Sequence, residues 1–183
     1  VAFSTDWQQD AARRDFTINT LYADPLTGEI FDYHQGLEDL ATRTVRFIGD
    51  PAQRIAEDHL RILRFFRFYA RFGSDSPDDA AIAACRAAVH SLKSLSRERI
   101  TDELLKLLSL STPLASITLM IENGVFGAFL PELTDSAATD LRHLIDREQQ
   151  AFESPSALRR LAALIPIQAE QADKIAARLK LST

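Results

Sequence analysis

Cysteine is almost absent from this 183-residue chain, where Cys85 stands alone. One thiol can build neither a disulfide framework nor a cysteine zinc cluster, so a reducing, cytoplasmic setting is expected. The four histidines (His34, His59, His90, His143) show no ligand spacing of the H-E-x-x-H kind and are expected to be structural. No apolar run approaches the roughly 18 residues that a membrane-crossing helix needs, so no membrane partner is expected. The opening residues, Val1-Ala2-Phe3-Ser4-Thr5-Asp6-Trp7, carry no basic segment leading into an apolar stretch, so no signal peptide is expected. They also lack an initiator methionine and begin in mid-pattern, and a fragment boundary is expected there.

What is present suits a folded protein. Apolar residues make up 46% of the chain and charged ones 26%, which argues against disorder. This length can bury a sizeable core in one or two compact domains. The net charge of −5 argues against a general nucleic-acid coat protein. The charge is uneven, however. Between Pro51 and Phe72, Arg54, Arg61, Arg64, Arg67 and Arg71 face only Glu57 and Asp58, and such a basic element in an acidic chain is where an anionic ligand is to be sought.

Two regimes follow one another. Residues 1–48 read as a helical lead-in, a turn at Asp24-Pro25-Leu26-Thr27-Gly28, and β-like runs at 29–33 and 44–48. These strands are too few to make an independent sheet. From Asp50 onward nearly everything reads as helix. Asp50 is an N-cap candidate with Pro51 in first position, and one long helix is expected to end at Gly73 as a C′ glycine. Further helices are expected at about 77–92, from Ser96, from Thr112-Pro113 to Asn123-Gly124, and at 135–153, 155–165 and 168–181. The expected fold is mainly α, with a small α/β segment at 1–48 and helical units at 49–108 and 109–183.

Two constellations carry chemistry. In the first, Asp58, Arg61, Arg64 and Arg67 stand three apart, which on a helix places an acceptor beside a donor fork at the start of a basic track. Asp can accept from a base's exocyclic amino group while Arg donates to a ring nitrogen or carbonyl. The following arginines suit phosphates. The same spacing is equally that of ordinary i,i+3 ion pairs on a solvated face. In the second, Arg13-Arg14-Asp15-Phe16-Thr17-Ile18-Asn19 offers groups for a sugar and phosphates, or simply the polar end of a helix.

Together these segments resemble the bacterial-type (class II) tRNA nucleotidyltransferase and poly(A) polymerase family. Arg13 to Tyr22 resembles its RRDFTxNAL motif. Asp32 through Gly36-Leu37-Glu38-Asp39-Leu40 resembles its D-x-x-x-G-x-x-D-L segment. Val45-Arg46-Phe47-Ile48-Gly49-Asp50-Pro51 with Arg54 resembles its hinge, and Glu57-Asp58-x-x-Arg61-x-x-Arg64-x-x-Arg67-Phe68 its EDxxRxxRxxRF motif. Beyond residue 73 the likeness is weaker, although Leu95-Ser96-x-Glu98-Arg99-Ile100-x-x-Glu103-Leu104 and Phe129-Leu130-Pro131-Glu132-Leu133 share its look. Thr20, where the family commonly has Ala or Ser, and the bulky pair Phe65 and Phe66 are mild departures.

The resemblance implies that Arg14 and Asp15 contact ribose and triphosphate. It implies that Asp58 and Arg61 act as a protein template for the base of CTP or ATP, and that Arg64 and Arg67 bind nucleotide or phosphate. Asn19 and Glu57 are given supporting roles. The implied division is a head remnant (1–48), a nucleotide-selecting neck (49–108) and part of a body (109–183). The implied reaction is attack of an RNA 3′-hydroxyl on the α-phosphorus of ATP or CTP, with CCA addition to tRNA expected first and poly(A) addition as the alternative. That chemistry needs two Mg²⁺ held by an Asp-x-Asp pair. The one acidic-x-acidic pair here, Asp146-Arg147-Glu148, falls in an expected helix where such side chains diverge, and Gly73-Ser74 does not stand where the family has its phosphate loop. No catalytic or metal-binding residue is therefore expected in the chain, Mg²⁺ is assigned to the full-length parent, and the piece alone is expected to be inactive. A standalone, non-catalytic RNA- or nucleotide-binding module is the alternative from another class.

Overall fold

Asp6 starts the first element because its carboxylate accepts from the backbone amides of Gln8 (2.9 Å) and Gln9 (3.3 Å), the usual satisfaction of helix-start donors. The computed structural model describes residues 6–74, 76–166 and 168–181. Helix α1 (Trp7–Ala12) leads into a 3₁₀ turn at Thr17–Asn19 and strand β1 (Leu21–Ala23). Strand β2 (Ile30–Asp32) pairs antiparallel with β1, Tyr22 standing opposite Phe31, and α2 (Gly36–Ala41) follows. The run at 44–48 joins no sheet and makes one isolated bridge, Phe47 to Phe16. The amide of Thr17 donates to the Arg46 carbonyl (3.1 Å) and that of Ile48 to the Asp15 carbonyl (3.0 Å), so this stretch serves to hold the 13–19 segment. A hairpin this small cannot stand alone. Its anchor is Phe16, fully buried with ring centroids 4.8 Å from Phe47 and 4.9 Å from Phe68.

The D-x-x-x-G-x-x-D pattern has a physical account here. Asp32 accepts from the amides of His34, Gly36 and Leu37, which tightens the entry to α2. A Cβ on Gly36 would collide with the carbonyl of Thr17, so only glycine permits that approach. Asp39, buried, accepts from the Thr17 hydroxyl (2.6 Å) and pairs with Arg46 (2.9 Å).

The long helix expected from Asp50 to Gly73 is two helices. Helix α3 (Pro51–Glu57), capped by Asp50, stops at Asp58, whose backbone is extended (φ −153°, ψ 108°), and α4 (Arg61–Phe72) restarts the chain. Asp58 supplies the reason, since its carboxylate accepts from the Leu60 amide (3.0 Å) and its carbonyl from the Arg61 amide (3.0 Å). A short acidic side chain that satisfies nearby amides competes with the helix ladder and restarts it as a cap. Helix α4 buries Ile62, Leu63, Phe65, Phe66 and Tyr69. It ends at Gly73 as expected, but with φ −70° rather than a left-handed angle. Glycine is needed there because a Cβ would stand 2.7 Å from the Tyr69 carbonyl oxygen and against the Tyr69 ring.

The remaining helices lie close to the expected places: α5 (Asp79–Ala88) running into a 3₁₀ turn (Val89–Ser94), α6 (Arg97–Leu108), and α7 (Leu114–Glu122). Past Gly124, where φ is +70°, come a 3₁₀ turn (Val125–Ala128), α8 (Ala137–Gln150), α9 (Ala157–Ala163) and α10 (Ala169–Leu179). The expected mainly-α fold with a small α/β segment is what the structure has. One continuous apolar core runs from Phe16 to Leu179. Polar ties lock it. The Ser116 hydroxyl donates to the Phe66 carbonyl (2.6 Å), joining α7 to α4. The buried Arg160 donates to Glu148 (2.8 Å) and to the Leu108 carbonyl (2.8 Å), joining α9, α8 and the end of α6. Burial, the largest influence on Glu148, pushes its pKa up, but Arg160 and Arg159 outweigh it and hold the carboxyl below its ordinary range.

Candidate nucleotide-binding site

An open cleft of about 310 Å³ is lined by Arg14, Asp15, Asn19, Asp58, Leu60, Arg61, Arg64 and Arg99. The two segments singled out in the sequence, forty residues apart, therefore share one wall-to-wall site. The 13–19 segment reaches it through the extended residue Phe16 and the 3₁₀ turn behind it, and the second segment through the break between α3 and α4. That break matters. It turns Asp58 out of the helical stripe and into the cleft, where a continuous helix would have stacked it one turn below Arg61.

Each charged group has a defined partner. Asp15 is 4% exposed and accepts from Arg64 Nε, from Asn19 Nδ2 and from the Phe16 amide (3.2 Å). Burial is the largest influence on Asp15 and raises its pKa, yet Arg64 and the other donors outweigh it and leave the carboxyl below its ordinary value. Burial likewise acts first to lower the Arg64 pKa, and Asp15 with Glu103 reverses it, so Arg64 is raised and stays charged. Arg61 donates to Glu57, to the Arg54 carbonyl (2.8 Å) and to the Arg13 carbonyl (3.2 Å). Glu57 thus sits behind the site, shared between Arg61 and Arg54, and the Arg61 bond is the chief cause of its lowered pKa. Arg14 is half-exposed, bonded to Asp10 (2.8 Å) and poised 5.4 Å over the Tyr22 ring. Asp10 itself is drawn well below the carboxylate range, first by the Tyr22 hydroxyl and then by Arg13 and Arg14.

Arg67 does not line the cleft. Its Nε donates to the buried Glu103 (2.7 Å) and its guanidinium lies 4.8 Å over Phe68. Three participants were not among the candidates. Arg99 lines the cleft and donates to Asp58 (2.8 Å), Glu103 supports Arg64 and Arg67 from α6, and Asp10 anchors Arg14. The sequence signal for Arg99 and Glu103 was the Ser96-x-Glu98-Arg99-x-x-x-Glu103 pattern, whose charges only make sense once α6 packs beside α4. No separate signal marked Asp10.

Chemically, the cleft offers guanidinium groups on several sides and the carboxylates of Asp15 and Asp58. Such a set suits a polyanion bearing a hydrogen-bonding edge and hydroxyls. Among the described residues no group of three or more His, Cys, Asp or Glu side chains is placed to hold a metal ion, and both cleft carboxylates face guanidinium partners.

A mainly helical scaffold, joined to a small α/β segment, presents an arginine-lined cleft suited to an anionic ligand. Residues 1–46 match the family model described as "Poly A polymerase head domain", and residues 76–136 match "Probable RNA and SrmB- binding site of polymerase A". The chain is 38% identical to the zebrafish (Danio rerio) CCA tRNA nucleotidyltransferase 1, mitochondrial, over 100% of this chain and 42% of that protein. It is 38% identical to poly(A) polymerase I of Haemophilus influenzae over 69% of this chain and 28% of that one. Among solved structures, the Thermotoga maritima CCA-adding enzyme complexed with tRNA superposes with TM-score 0.76 at 25% identity, covering 96% of this chain and 45% of that one. A CCA-adding enzyme solved with CTP does so with TM-score 0.75 at 25% identity, covering 97% and 44%. The chain belongs to the CCA-adding enzyme and poly(A) polymerase family, and it spans less than half the length of these relatives.

Proposed function

We propose that this chain is the nucleotide-selecting and RNA-binding part of an enzyme that completes the CCA end of tRNA from CTP and ATP. The observation that carries the reading is the convergence of the 13–19 and 57–64 segments on one cleft. Asp58 and Arg61 read the base edge, the carboxylate accepting and the guanidinium donating. Arg14, Asp15 and Arg64 take ribose and triphosphate, with Asn19 and Glu57 in support, and Arg67 enters by sharing Glu103 with Arg64. The tRNA 3′-hydroxyl attacks the α-phosphorus and pyrophosphate leaves. Mg²⁺ supplies charge neutralisation in that step, and the reading assigns its ligands to carboxylates outside this chain. The three-part division at 1–48, 49–108 and 109–183 belongs to the same proposal and is open to limited proteolysis.

What favours CCA addition over poly(A) addition is the zebrafish relative, named as a CCA tRNA nucleotidyltransferase, which matches the whole chain. Nucleotide use by the full-length protein is the test. Incorporation of two C and one A on tRNA supports the reading, and long tracts from ATP alone would sink it. This chain by itself is expected to give no 3′ extension with Mg²⁺ and CTP or ATP, and detectable extension by a pure sample would overturn the assignment of the metal site elsewhere.

No described helix is long and apolar enough to cross a membrane. The cytoplasmic setting is retained as part of the proposal on the strength of the lone, buried Cys85. The zebrafish relative is named as mitochondrial. Imaging of the tagged full-length protein decides between the two compartments.

A further inference from the structure

We propose that Asp10 is a positioning residue for the triphosphate end of the nucleotide, acting through the orientation it imposes on Arg14; the inference rests on the nucleotide-binding reading above. Arg14 lines the cleft and Asp10 does not. What Asp10 does for a nucleotide bound there therefore passes through its neighbours. Three donors meet on its carboxylate: Arg13 on Oδ1, Arg14 on Oδ2 and the Tyr22 hydroxyl on Oδ2 (2.5 Å). The Asp10 side chain is largely covered.

Along the sequence, Asp10 with Arg13 and Arg14 is an i,i+3 and i,i+4 pairing, which contributes little on a solvated helix face. Two observations set it apart. Helix α1 ends at Ala12, so Arg14 lies beyond the helix and the carboxylate reaches past its end. The third donor comes from strand β1, and Tyr22 is itself held, stacked on Trp7 (5.5 Å between ring centroids) and standing opposite Phe31. The Tyr22 ring also faces the Arg14 guanidinium at 5.4 Å. Arg14 is thus fixed at its edge by a carboxylate and at its face by a ring, both tied to the hairpin.

The donors of Arg14 show what this leaves for a ligand. A guanidinium carries five N–H donors in a planar fork. Nε (3.0 Å) and Nη2 (2.8 Å) donate to Asp10 Oδ2, and Nη1 donates to the Asn19 carbonyl (3.4 Å). One hydrogen remains on each terminal nitrogen, a pair matched to two oxygens of a phosphate. Without Asp10 this half-exposed side chain would range over several rotamers and lose that freedom on meeting the anion. The carboxylate stays ionised in the role, since the Tyr22 hydroxyl first, and then Arg13 and Arg14, hold it well below its ordinary range. Coulomb attraction alone predicts the reverse effect, because a carboxylate near the cleft repels a triphosphate and its removal should tighten binding. The sign of the change therefore separates positioning from screening.

The test uses the full-length protein, with CTP as substrate and inorganic tripolyphosphate as competing probe. Asp10→Asn keeps the size of the side chain and removes its charge. It is expected to raise the KM for CTP and the inhibition constant of tripolyphosphate by about tenfold, the scale of one weakened charge-assisted contact. It should lower kcat/KM equally for correct and incorrect nucleotides and leave the melting temperature within a few degrees. Asp10→Glu, which keeps the charge, should regain part of the loss. In an Arg14→Ala background there is no guanidinium to orient, so adding Asp10→Asn should change neither constant by more than about twofold. Tighter tripolyphosphate binding by Asp10→Asn, unchanged constants, or an undiminished effect in the Arg14→Ala background overturns the positioning role and leaves the nucleotide reading intact. If Arg14→Ala itself leaves both constants unchanged, the assignment of Arg14 to the triphosphate fails, and the role of Asp10 with it.

Discussion

The Asp58 carboxylate accepts a 2.8 Å hydrogen bond from Arg99, a residue carried by α6 and forty-one positions away in the chain. Arg61, three residues from Asp58, is turned instead toward Glu57. The acceptor and the donor that the base-reading proposal requires are therefore oriented by two different partners.

This arrangement gives Arg99 a positioning role. The pair is half-exposed, so its contribution to stability is about 0–1 kcal/mol. In the full-length protein, Arg99→Ala should leave the melting temperature within a few degrees but weaken discrimination of CTP and ATP against GTP and UTP several-fold. Arg99→Lys should restore part of it. An unchanged discrimination ratio would mean that Asp58 needs no holder.

Arg61 touches both segments of the site, through Arg54, Glu57 and Arg13. Arg61→Ala is expected to reduce the ratio of kcat/KM for correct over incorrect nucleotides by tenfold or more, in line with about 1–3 kcal/mol per base contact. Inhibition by inorganic triphosphate should change less than threefold. Equal loss with every nucleotide, right or wrong, counts against the base-reading role.

Asp15 titrates below the unfolded value of about 3.9, so its bond with Arg64 stabilises the fold fully above that pH. The stability is lost as pH falls through the lower folded value. Asp15→Asn should destabilise at neutral pH by about 2–3 kcal/mol, less than a fully buried pair because Arg64 is partly exposed. The same change should flatten the fall in stability below about pH 4. Urea unfolding at pH 7 and pH 3 measures both, and an unchanged slope between them would show that Asp15 is not the titrating group.

Gly36 tests the scaffold behind the site. Gly36→Ala drives a Cβ into the Thr17 carbonyl and should cost roughly 1–3 kcal/mol as overpacking. Because Thr17 lies in the same 3₁₀ turn as Asn19, the nucleotide KM should rise as well. Thermal unfolding together with KM for CTP reads this out, and a variant of normal stability and KM would show that the turn gives way freely.

Much of this was legible along the chain, because its signals are local. Asp50-Pro51, Ser96 and Asn123-Gly124 mark helix ends through groups that act within four residues of themselves, and those ends stand close to where they were expected. The pairing of residues 13–19 with 57–64 was legible only through resemblance, since nothing in spacing says that two segments forty residues apart meet. Two local inferences misled for instructive reasons. The i,i+3 run from Asp58 to Arg67 reads as one helix because periodicity does not register that Asp58 can satisfy the Leu60 and Arg61 amides better than the ladder can. Gly73 reads as a left-handed cap, while its true constraint is the Tyr69 side chain folding back over it.

The sequence by itself determined that this protein is mainly helical, that its cations concentrate on a few short stretches, and that Arg14, Asp15, Asp58, Arg61 and Arg64, together with Arg67, are the groups to watch. Only the tertiary structure decided that the first five share one cleft, that Arg99 and Glu103 complete it from α6, and that Arg67 faces Glu103 rather than the opening. The reason is physical. Helix propensity, capping and charge pattern act within a turn or two of chain, whereas the partner of a guanidinium is set by which helices pack side by side, and that is decided by the buried faces of Phe16, Phe65, Leu104 and their neighbours acting together.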